Sequence, residues 1–314
     1  MQECAMQSGF CISGKGRLIG VTTNIEILRE QCAHGNAMFP LMVHRFQTNP
    51  QFRERVSCHW HNELEILIVT EGAAQIQIDD KSYMVKEGEM VFVLPNRLHS
   101  AQAEVGTPFS FLAVVFDQAL LNSFVRDEIQ QKYFDHVKEG RILFPEYICR
   151  EEPWQSQLHA VLIEICERFE KGEKAYELLI KAKLYEVWYL LYTHAALTEG
   201  AAGGARDSRA VMIKEVIAYI QAHYEEHIGI PELAERFHVS EGHLCRMFKG
   251  MTQKSVVEYL NYYRISVSVE LLNMGEHDIG QIAGMTGFNN ISYFNRMFRR
   301  FMRMTPSEYK KLQG

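Results

Sequence analysis

Three histidines and one glutamate in the first third of the chain are the residues best suited to chemistry. The stretch HWHNELEILIVTEG, residues 59–72, places His59, His61 and Glu65 at the start of an apolar run, and PNRLHS places His99 further along. Three imidazoles and one carboxylate make up a ligand set for Fe, Ni, Mn or Zn. The same side chains could instead bind the polar groups of a small organic molecule, or only satisfy hydrogen bonds at the ends of strands.

The spacing of these residues predicts that they share one face of a strand. In a β-strand, residues two apart point the same way, so one unbroken strand would present His59, His61 and Glu65 together. Trp60 has the opposite parity and is expected to face away from the histidines. The other face would then consist of the apolar side chains Leu64, Ile66 and Ile68.

The elements that would position this cluster fall into three zones. Residues 40–117 hold short runs rich in Val, Ile and Phe, punctuated by Gly, Asp and Pro, which predicts an antiparallel barrel or sandwich. Residues 154–197 have helical spacing and good helix formers. The small, Gly-rich and polar stretch TEGAAGGARDSR, residues 198–209, predicts a flexible linker, and everything after it is expected to be helical.

Charge is unevenly distributed along the chain. The net charge of −6 by itself argues against binding to nucleic acid. From Arg206 to Gly314, however, 14 Lys and Arg stand against 12 Asp and Glu, whereas the rest of the chain has 19 against 27. A weakly basic C-terminal part behind an acidic N-terminal part indicates a DNA-reading module joined to something else.

The cysteines and the hydropathy indicate a compartment. The seven cysteines are scattered without CxxC spacing, as is typical of reduced thiols. No apolar run approaches the roughly 18 residues that a membrane-spanning helix needs, and the first residues lack the basic leader and apolar core of a secretion signal. We therefore expect a cytoplasmic protein with no membrane partner.

The C-terminal zone contains a diverged repeat. RMFKGMTQKSVVEY, residues 246–259, matches RMFRRFMRMTPSEY, residues 296–309, at an offset of 50. Upstream, IPELAERFHVS, residues 230–240, parallels IGQIAGMTGFN, residues 279–289, at an offset of 49. A period near 50 residues predicts one supersecondary unit per repeat.

Each repeat has the pattern of a helix, a tight turn and a second helix. In the first repeat Ser240 stands where an N-cap belongs, and in the second Gly287 occupies the turn, where a positive φ is often required. Four apolar residues are expected to face inward, namely Leu244, Phe248, Phe294 and Phe298. A plain helical bundle with charged outer faces would explain one such pattern, but it does not explain two that lie 50 residues apart.

The outward faces of the second helices carry side chains suited to reading DNA. Asn and Arg make bidentate hydrogen bonds to adenine and guanine edges in the major groove. The predicted DNA-binding residues are Gly242, Cys245, Arg246 and Lys249 in the first unit and Asn290, Ser292, Asn295, Arg296 and Arg299 in the second.

Residues 210–312 resemble the DNA-binding domain of the AraC/XylS family of bacterial transcription regulators, on the strength of DIGQIAGMTGFNNISYFNRMFRRF followed by TPSEYKK. The resemblance implies two helix-turn-helix units that are held by a linker helix and enter successive major grooves. By position, Gly242, Cys245 and Arg246 would face bases in the first unit, and Ser292, Asn295 and Arg296 in the second.

This chain departs from the family after each recognition helix. The family usually has Gly there, whereas this chain has Gln253 and Arg303. A side chain at a left-handed cap costs roughly 1 kcal/mol. Since Gly242 and Cys245 are poor base readers, the second unit is expected to carry more of the direct readout.

The first zone resembles the cupin fold through the pattern HxHx3Ex6G, from His59 to Gly72, followed by His99. Cupin metalloenzymes hold a metal at these four positions, and many AraC-type regulators carry such a domain as a sensor. One departure is that Pro95 and His99 lack the Gly of the usual PxGxxH motif. The resemblance leaves three readings open, which are a pocket for an organic effector such as a sugar, a transition-metal site and a structural role.

These observations predict an α+β protein with a cupin-like antiparallel β-barrel, flanking helices and an all-α domain of two helix-turn-helix units. The predicted function is a ligand-responsive, sequence-specific DNA-binding transcription regulator, not an enzyme. The alternative is a metal-dependent cupin oxygenase or isomerase. The predicted partners are double-stranded DNA, a small-molecule effector and a second copy of the chain, with RNA polymerase as a further candidate. No cofactor is assigned beyond the candidate metal.

The predicted boundaries follow from these zones. Residues 1–38 form a lead-in segment, 39–150 the sensing domain, 151–198 the dimerisation helices, 199–209 the linker and 210–314 the DNA-binding domain. The family resemblance predicts that the helices at 151–198 make an aromatic-rich dimer interface. Its candidate residues are Leu178, Leu179, Ala182, Tyr185, Trp188, Tyr189 and Tyr192.

Overall fold

The computed structural model describes residues 34–313 except 37, 48–54, 104–106, 124, 126, 139–141 and 198–203. Most of the predicted lead-in segment therefore lies outside the described residues. The chain divides into two compact units, which meet in sequence between Asp207 and Ser208. None of the described helices is long and apolar enough to cross a membrane.

The first unit is built on antiparallel strands. Their bounds are β1 Leu41–Gln47, β2 Arg55–His59, β3 Leu64–Ile78, β4 Lys81–Lys86, β5 Met90–Val93, β6 His99–Ala103, β7 Phe109–Phe116, β8 Ile142–Leu143, β9 Tyr147–Ile148 and β10 Ala196–Leu197. Strand β3 is long enough to serve two groups of partners. Its first half pairs with β5 and β7, and its second half pairs with β4 and β6. The shared strand makes the two sheets enclose a common interior, so the predicted cupin-like barrel is confirmed.

Gly72 allows β3 to bend between its two halves. Its φ of +75° lies in the region that side chains avoid, and a Cβ there would lie 2.0 Å from the carbonyl oxygen of Pro108. The register with β7 also shifts between Val69 and Glu71. The last residue of the HxHx3Ex6G pattern is therefore a backbone requirement of the fold.

Alternation along the strands separates two cores. Odd-numbered residues of β3 such as Leu67 and Val69 pack in the interior with residues such as Val115 of β7. The opposite face carries Leu64, Ile66 and Ile68, as predicted, and packs with the helices. These helices are α2 Pro153–Lys171 and α3 Tyr176–Thr193. Before them in the chain come a 3₁₀ turn at Gln118–Leu120, a π-helical turn at Gln130–Asp135 and the short helix α1 at His136–Lys138.

Trp188 corrects part of the predicted dimer interface. Its side chain is 4% exposed and stacks on Phe134 with ring centroids 4.9 Å apart. Its indole nitrogen donates a hydrogen bond to the carbonyl oxygen of Tyr133 at 3.2 Å. Trp188 therefore belongs to the core beneath helix α3, because its position on the helix falls in line with the buried Leu184 and Leu191.

The second unit is helical throughout. Its helices are α4 Gly204–Ala222, α5 Ile230–Arg236, α6 Glu241–Thr252, α7 Val256–Met274, α8 Ile279–Met285, α9 Ile291–Met302 and α10 Pro306–Gln313. The start of α4 corrects the predicted linker, because residues 204–209 are helical. The sequence ARDSR has no glycine after Gly204, and its Ala and Arg favour helix.

The two predicted helix-turn-helix units are α5–α6 and α8–α9. Ser240 caps α6 by accepting a hydrogen bond from the backbone of His243, and Gly287 has a φ of +77° in the second turn. The four side chains that were predicted to face inward, Leu244, Phe248, Phe294 and Phe298, are all 0% exposed. The predicted repeat of two such units, joined by the long helix α7, is confirmed.

Both recognition helices end on a residue in the left-handed conformation. Gln253 has a φ of 59° and Arg303 a φ of 61°, and their backbone N–H groups donate to Lys249 and Arg299. The third αL cap in this unit, at Gly275, has no side chain to strain. The two departures from glycine that stand out in the sequence therefore fall at positions with a backbone cost.

We expect Gln253→Gly to raise the free energy of unfolding of the second unit by about 1 kcal/mol, because it removes this strain. Gly275→Ala is the matched control and should lower it by a similar amount. Trp60, Trp154 and Trp188 all lie in the first compact unit, so tryptophan fluorescence during urea unfolding reports on that unit alone. Far-UV circular dichroism reports on both compact units, and the comparison separates the unfolding transition of the second from that of the first. An unchanged stability in Gln253→Gly would contradict the expected cost.

Candidate functional site

The four predicted residues converge in the barrel interior. His59, the last residue of β2, pairs across the ladder with His99, the first residue of β6. The Oε2 atom of Glu65 lies 3.0 Å from Nε2 of His61 and 2.9 Å from Nε2 of His99. The rings of His59 and His99 have centroids 4.1 Å apart. One ligand atom from each of the four residues lies within 4.8 Å of the others.

The route by which the chain brings them together differs from the prediction. No single strand carries His59, His61 and Glu65, since β2 ends at His59, β3 begins at Leu64 and the chain bends between them. The carbonyl oxygen of His61 accepts a hydrogen bond from the backbone of Asn96 at 2.8 Å, which fixes this bend against the segment before His99. The parity argument holds for Glu65 alone, which lies on β3 opposite Val93 and Val115.

The backbone orients all three imidazoles alike. Nδ1 of His59 lies 2.8 Å from the carbonyl oxygen of Ser57, Nδ1 of His99 lies 2.9 Å from that of Arg97, and Nδ1 of His61 lies 3.2 Å from that of Glu63. Carbonyl oxygens only accept, so each Nδ1 is the donor. A neutral ring then carries its lone pair on Nε2, which is the protonation state of a metal-binding histidine with a supporting hydrogen bond.

Glu65 gives the cluster its charge. Its side chain is buried. Burial by itself raises the pKa of a carboxyl group, but the positive charge of a protonated His99 ring, and the hydrogen bonds that Nε2–H of protonated His61 and His99 rings donate, hold the pKa of Glu65 well below its usual value. A buried carboxylate that faces Nε2 lone pairs would be repelled by them. Either an imidazolium or a cation must therefore balance it.

Two further histidines, neither of which the residue pattern predicted, extend the cluster. Nδ1 of His34 lies 3.0 Å from Nε2 of His44, and the His34 ring lies 5.2 Å from that of His61. Both residues are buried. His34, His61 and Glu63 form a second group that could hold a metal. His44 could have been found by parity, because it alternates with Phe46 on β1, whereas nothing around His34 in the sequence indicates its position.

A network of charged residues supports the segment that leads to His99. Oδ1 of Asp79 accepts the backbone N–H of Leu98 at 2.9 Å, and Asp79 also forms an ion pair with Arg97. Arg97 lies 3.3 Å from Glu146, which accepts a further hydrogen bond from Tyr83 at 2.6 Å. These contacts place His99 at the cluster although the chain lacks the Gly of the PxGxxH motif.

Glu146 is the acid at the other end of this network. Its burial raises its pKa, but the hydrogen bonds from Lys81 and Tyr83 and the charge of Arg97 lower the pKa below its usual value overall. Glu146 therefore stays ionised and attracts Arg97 from one side while Asp79 holds it from the other.

The predicted DNA-reading residues lie on the outer faces of α6 and α9. Cys245 is half-buried, and the other eight are exposed, namely Gly242, Arg246, Lys249, Asn290, Ser292, Asn295, Arg296 and Arg299. Asn290 has a structural task as well, since its side-chain oxygen caps α9 by accepting the backbone N–H groups of Ser292 and Tyr293. The predicted contact of Asn290 with a base would therefore have to use its amide nitrogen.

Arg264 on helix α7 lies where the turn of the second helix-turn-helix unit meets the segment that precedes the first. Its guanidinium donates to the carbonyl oxygens of Tyr224 and Glu226, before the first unit, at 2.7 Å each. Gly287 in the second turn packs against the same place, where a Cβ would lie 2.7 Å from the Tyr224 oxygen and 2.9 Å from Nη2 of Arg264. Helix α7 and the turn of the second helix-turn-helix unit therefore pack tightly against the segment that leads into α5.

Comparison with known proteins assigns both units. Residues 40–188 match the family model described as an AraC-like ligand binding domain, and residues 233–312 match a helix-turn-helix domain. The uncharacterised HTH-type transcriptional regulator YdeC of Bacillus subtilis is 25% identical over 91% of this chain and 97% of its own length. The uncharacterised HTH-type regulator YdiP of Escherichia coli is 20% identical over 85% and 84%. A crystal structure of ToxT from Vibrio cholerae aligns with a TM-score of 0.37 at 16% identity, over 87% of this chain and 98% of that one.

We expect Asp79→Ala to lower the free energy of unfolding of the first unit by about 3 kcal/mol, because it leaves the Leu98 amide and one side of Arg97 without an acceptor. Glu170→Ala removes an exposed carboxylate from its ion pair with Arg45 and should change the stability by less than about 1 kcal/mol. Urea unfolding followed by tryptophan fluorescence measures both. A loss of stability in Asp79→Ala that is as small as the one expected for Glu170→Ala would show that the Asp79 network is dispensable.

Proposed function

The chain belongs to the AraC family of transcription regulators, with a ligand-binding domain ahead of a helix-turn-helix domain, and from this premise we propose that a metal ion in the barrel takes part in sensing. The protein is a ligand-responsive regulator that binds DNA. The observation that carries the proposal is the shared orientation of three imidazoles, each with Nδ1 donating to a carbonyl oxygen, around one buried carboxylate.

The donor set fits a divalent transition metal. His59, His61 and His99 would each offer Nε2 and Glu65 would offer a carboxylate oxygen, and a bound cation would supply the positive charge that the buried carboxylate needs. Three nitrogens and one oxygen suit Fe, Ni, Mn or Zn. The metal would act as a Lewis acid that binds an oxygen-rich ligand, while the protein residues orient it and exclude water. We assign this centre to sensing and not to turnover, because the same chain carries a DNA-binding domain.

Sensing would act through a difference in affinity. A ligand shifts the balance between two arrangements of a protein only if it binds one of them better. His34 and His44 continue the cluster toward the first described residues of the chain, so they extend the set of groups that a ligand could contact. We place this function in the cytoplasm, where DNA and RNA polymerase, a further candidate partner, are accessible.

We expect about one equivalent of a transition metal in untagged wild-type protein and none in His61→Ala. His227→Ala is the control, because His227 is exposed and lies in the second unit. Elemental analysis after dialysis against each of Fe, Ni, Mn and Zn measures the content. Wild-type protein that retains none of these metals but still binds DNA would contradict the metal site, and it would favour a pocket for an organic effector such as a sugar, which a thermal-shift screen would then identify.

DNA binding is assigned to the exposed faces of α6 and α9. Arg296 and Asn295 are the side chains best suited to guanine and adenine edges, and Ser292 precedes them on the same helix. In the first unit Gly242 and Cys245 offer little to a base, which leaves Arg246 as its reader. Lys249 and Arg299, nearer the ends of the two helices, suit phosphates.

We expect Arg296→Ala to weaken specific DNA binding by roughly 1 to 3 kcal/mol and to relax preference at one base pair. Lys249→Ala is the contrasting variant, which should weaken specific and non-specific binding alike and reduce the salt slope by about 1. Fluorescence anisotropy over a range of salt concentrations measures both. Intact specific binding in Arg296→Ala would overturn its assignment as a base reader.

A second copy of the chain is the proposed partner of helix α3. Leu178, Ala182, Tyr185 and Tyr189 follow one another at helical spacing on its outer side, and Leu178 and Tyr189 are 73% and 64% exposed. Such a stripe of apolar and aromatic residues suits a symmetric interface. Leu179 and Tyr192, which are half-buried, would lie at its edge.

We expect the wild-type protein to be a dimer by light scattering at micromolar concentration and Tyr189→Glu to be a monomer. Glu177→Lys changes an exposed residue next to the stripe and should leave the dimer intact. A monomeric wild-type protein would contradict this interface.

A further inference from the structure

Arg296 does not stand alone on the second recognition helix. Its guanidinium carbon lies 5.0 Å from the centroid of the Tyr293 ring, which is one turn earlier on α9. A cation held over an aromatic face at this distance is attracted by the electrons of the ring. The ring therefore forms a platform on which the guanidinium rests.

The platform is itself fixed to the linker helix. The Tyr293 hydroxyl accepts a hydrogen bond from Nδ2 of Asn261 at 2.9 Å, and Asn261 is buried on α7. The ring also packs against Phe288, with centroids 6.0 Å apart. Two independent contacts thus hold the ring in place before any DNA arrives.

A groove beside Arg296 offers space into which its side chain could turn if the Tyr293 ring did not hold it. The groove has a volume of about 440 Å³ and lies between α7 and α9, where Arg296, Arg300 and Glu258 are among the residues that line it. Glu258 already forms an ion pair with Arg300 at 2.9 Å. Without the Tyr293 ring, Arg296 would have the space of this groove to turn into, away from the outer face of the helix.

We propose that Tyr293 is a positioning residue for base recognition, which holds Arg296 in the orientation that reads a guanine. The inference rests on the proposed role of Arg296 in binding DNA. An arginine that is already ordered loses less conformational freedom when it makes its contact, so its affinity for the right base rises. The effect is on specificity, because non-specific binding draws only on the charge of Arg296.

The first helix-turn-helix unit does not have this pairing of an arginine with a tyrosine ring. The repeat places His243 where the second unit has Tyr293, and Arg246 corresponds to Arg296. Nη1 of Arg246 instead lies 3.3 Å from the place where a Cβ on Gly242 would be, so this side chain folds back along its own helix. The second unit therefore has the better prepared arginine, and we assign it the larger share of sequence discrimination.

A double-mutant cycle tests the proposal. Wild-type protein first selects a duplex from a random-sequence library, and anisotropy then gives the ratio of its affinity to that of a scrambled duplex. Tyr293→Leu should lower this ratio by roughly two- to fivefold. In the Arg296→Ala background the same change should lower it no further, because the residue it positions is gone. Melting by circular dichroism checks that each variant is folded, and Tyr293→Met replaces Tyr293→Leu if the latter is unfolded.

Tyr219 offers a matched control in the same unit. Its ring lies 4.3 Å from the guanidinium carbon of Arg236, and its hydroxyl donates to Glu232 at 3.2 Å. Tyr219→Leu therefore removes the same two kinds of contact away from the recognition helices. It should leave the ratio of specific to non-specific affinity unchanged.

The outcomes separate this proposal from the function on which it rests. If Arg296→Ala keeps the full ratio, the assignment of Arg296 as a base reader is wrong and the role of Tyr293 falls with it. If Arg296→Ala lowers the ratio but Tyr293→Leu costs the same factor in both backgrounds, only the positioning role is overturned. Tyr293→Phe, which keeps the ring, should stay within twofold of wild type, and a loss as large as that of Tyr293→Leu would also overturn it.

Discussion

A buried negative charge is the constraint around which the first unit is organised. Glu65 lies on the inner face of β3, where its neighbours across the ladder are Val93 and Val115. A carboxylate in such surroundings persists only if positive groups face it. The end of β2, the bend after it and the start of β6 all bring an imidazole to this point. The Asp79, Arg97 and Glu146 network then secures the last of these segments.

The helical compact unit depends in the same way on a buried positive charge, that of Arg264, whose hydrogen-bond acceptors lie far from it in the sequence. Arg264 starts on the central helix and finds its acceptors on the carbonyl oxygens of Tyr224 and Glu226. Gly287 keeps the second turn close enough to share this junction. Each of the two compact units thus contains an ionised side chain that pairs with groups distant in the sequence, Glu65 with His99 and Arg264 with Tyr224 and Glu226.

Most of the correct predictions came from the 50-residue repeat and from the regular spacing of apolar residues along helices and strands. The 50-residue repeat, the inward Phe248 and Phe298, the cap at Ser240 and the turn at Gly287 are local patterns, and the structure has all of them. The four residues of the barrel cluster were identified by type and spacing, although the single strand that was expected to carry them is broken after His59. His34 was missed because its position depends on contacts that residue spacing does not encode. The burial of Trp188, in line with Leu184 and Leu191, and the helical start at Gly204, followed by helix-favouring Ala and Arg, had signals in the sequence that the prediction did not use.

The junction of Arg264 and Gly287 has a consequence for the genome that the protein reads. We expect helix α7 and this junction to hold the two recognition helices at a fixed separation along the double helix. Successive major grooves on one face recur every 10 to 10.5 base pairs, so one inserted base pair turns a half-site by about a tenth of a turn away from its helix. Base changes within a half-site would weaken a contact, whereas insertions between half-sites would remove one of the two units from the groove. Operators for this regulator should therefore tolerate changes of base sequence more readily than changes in the distance between half-sites.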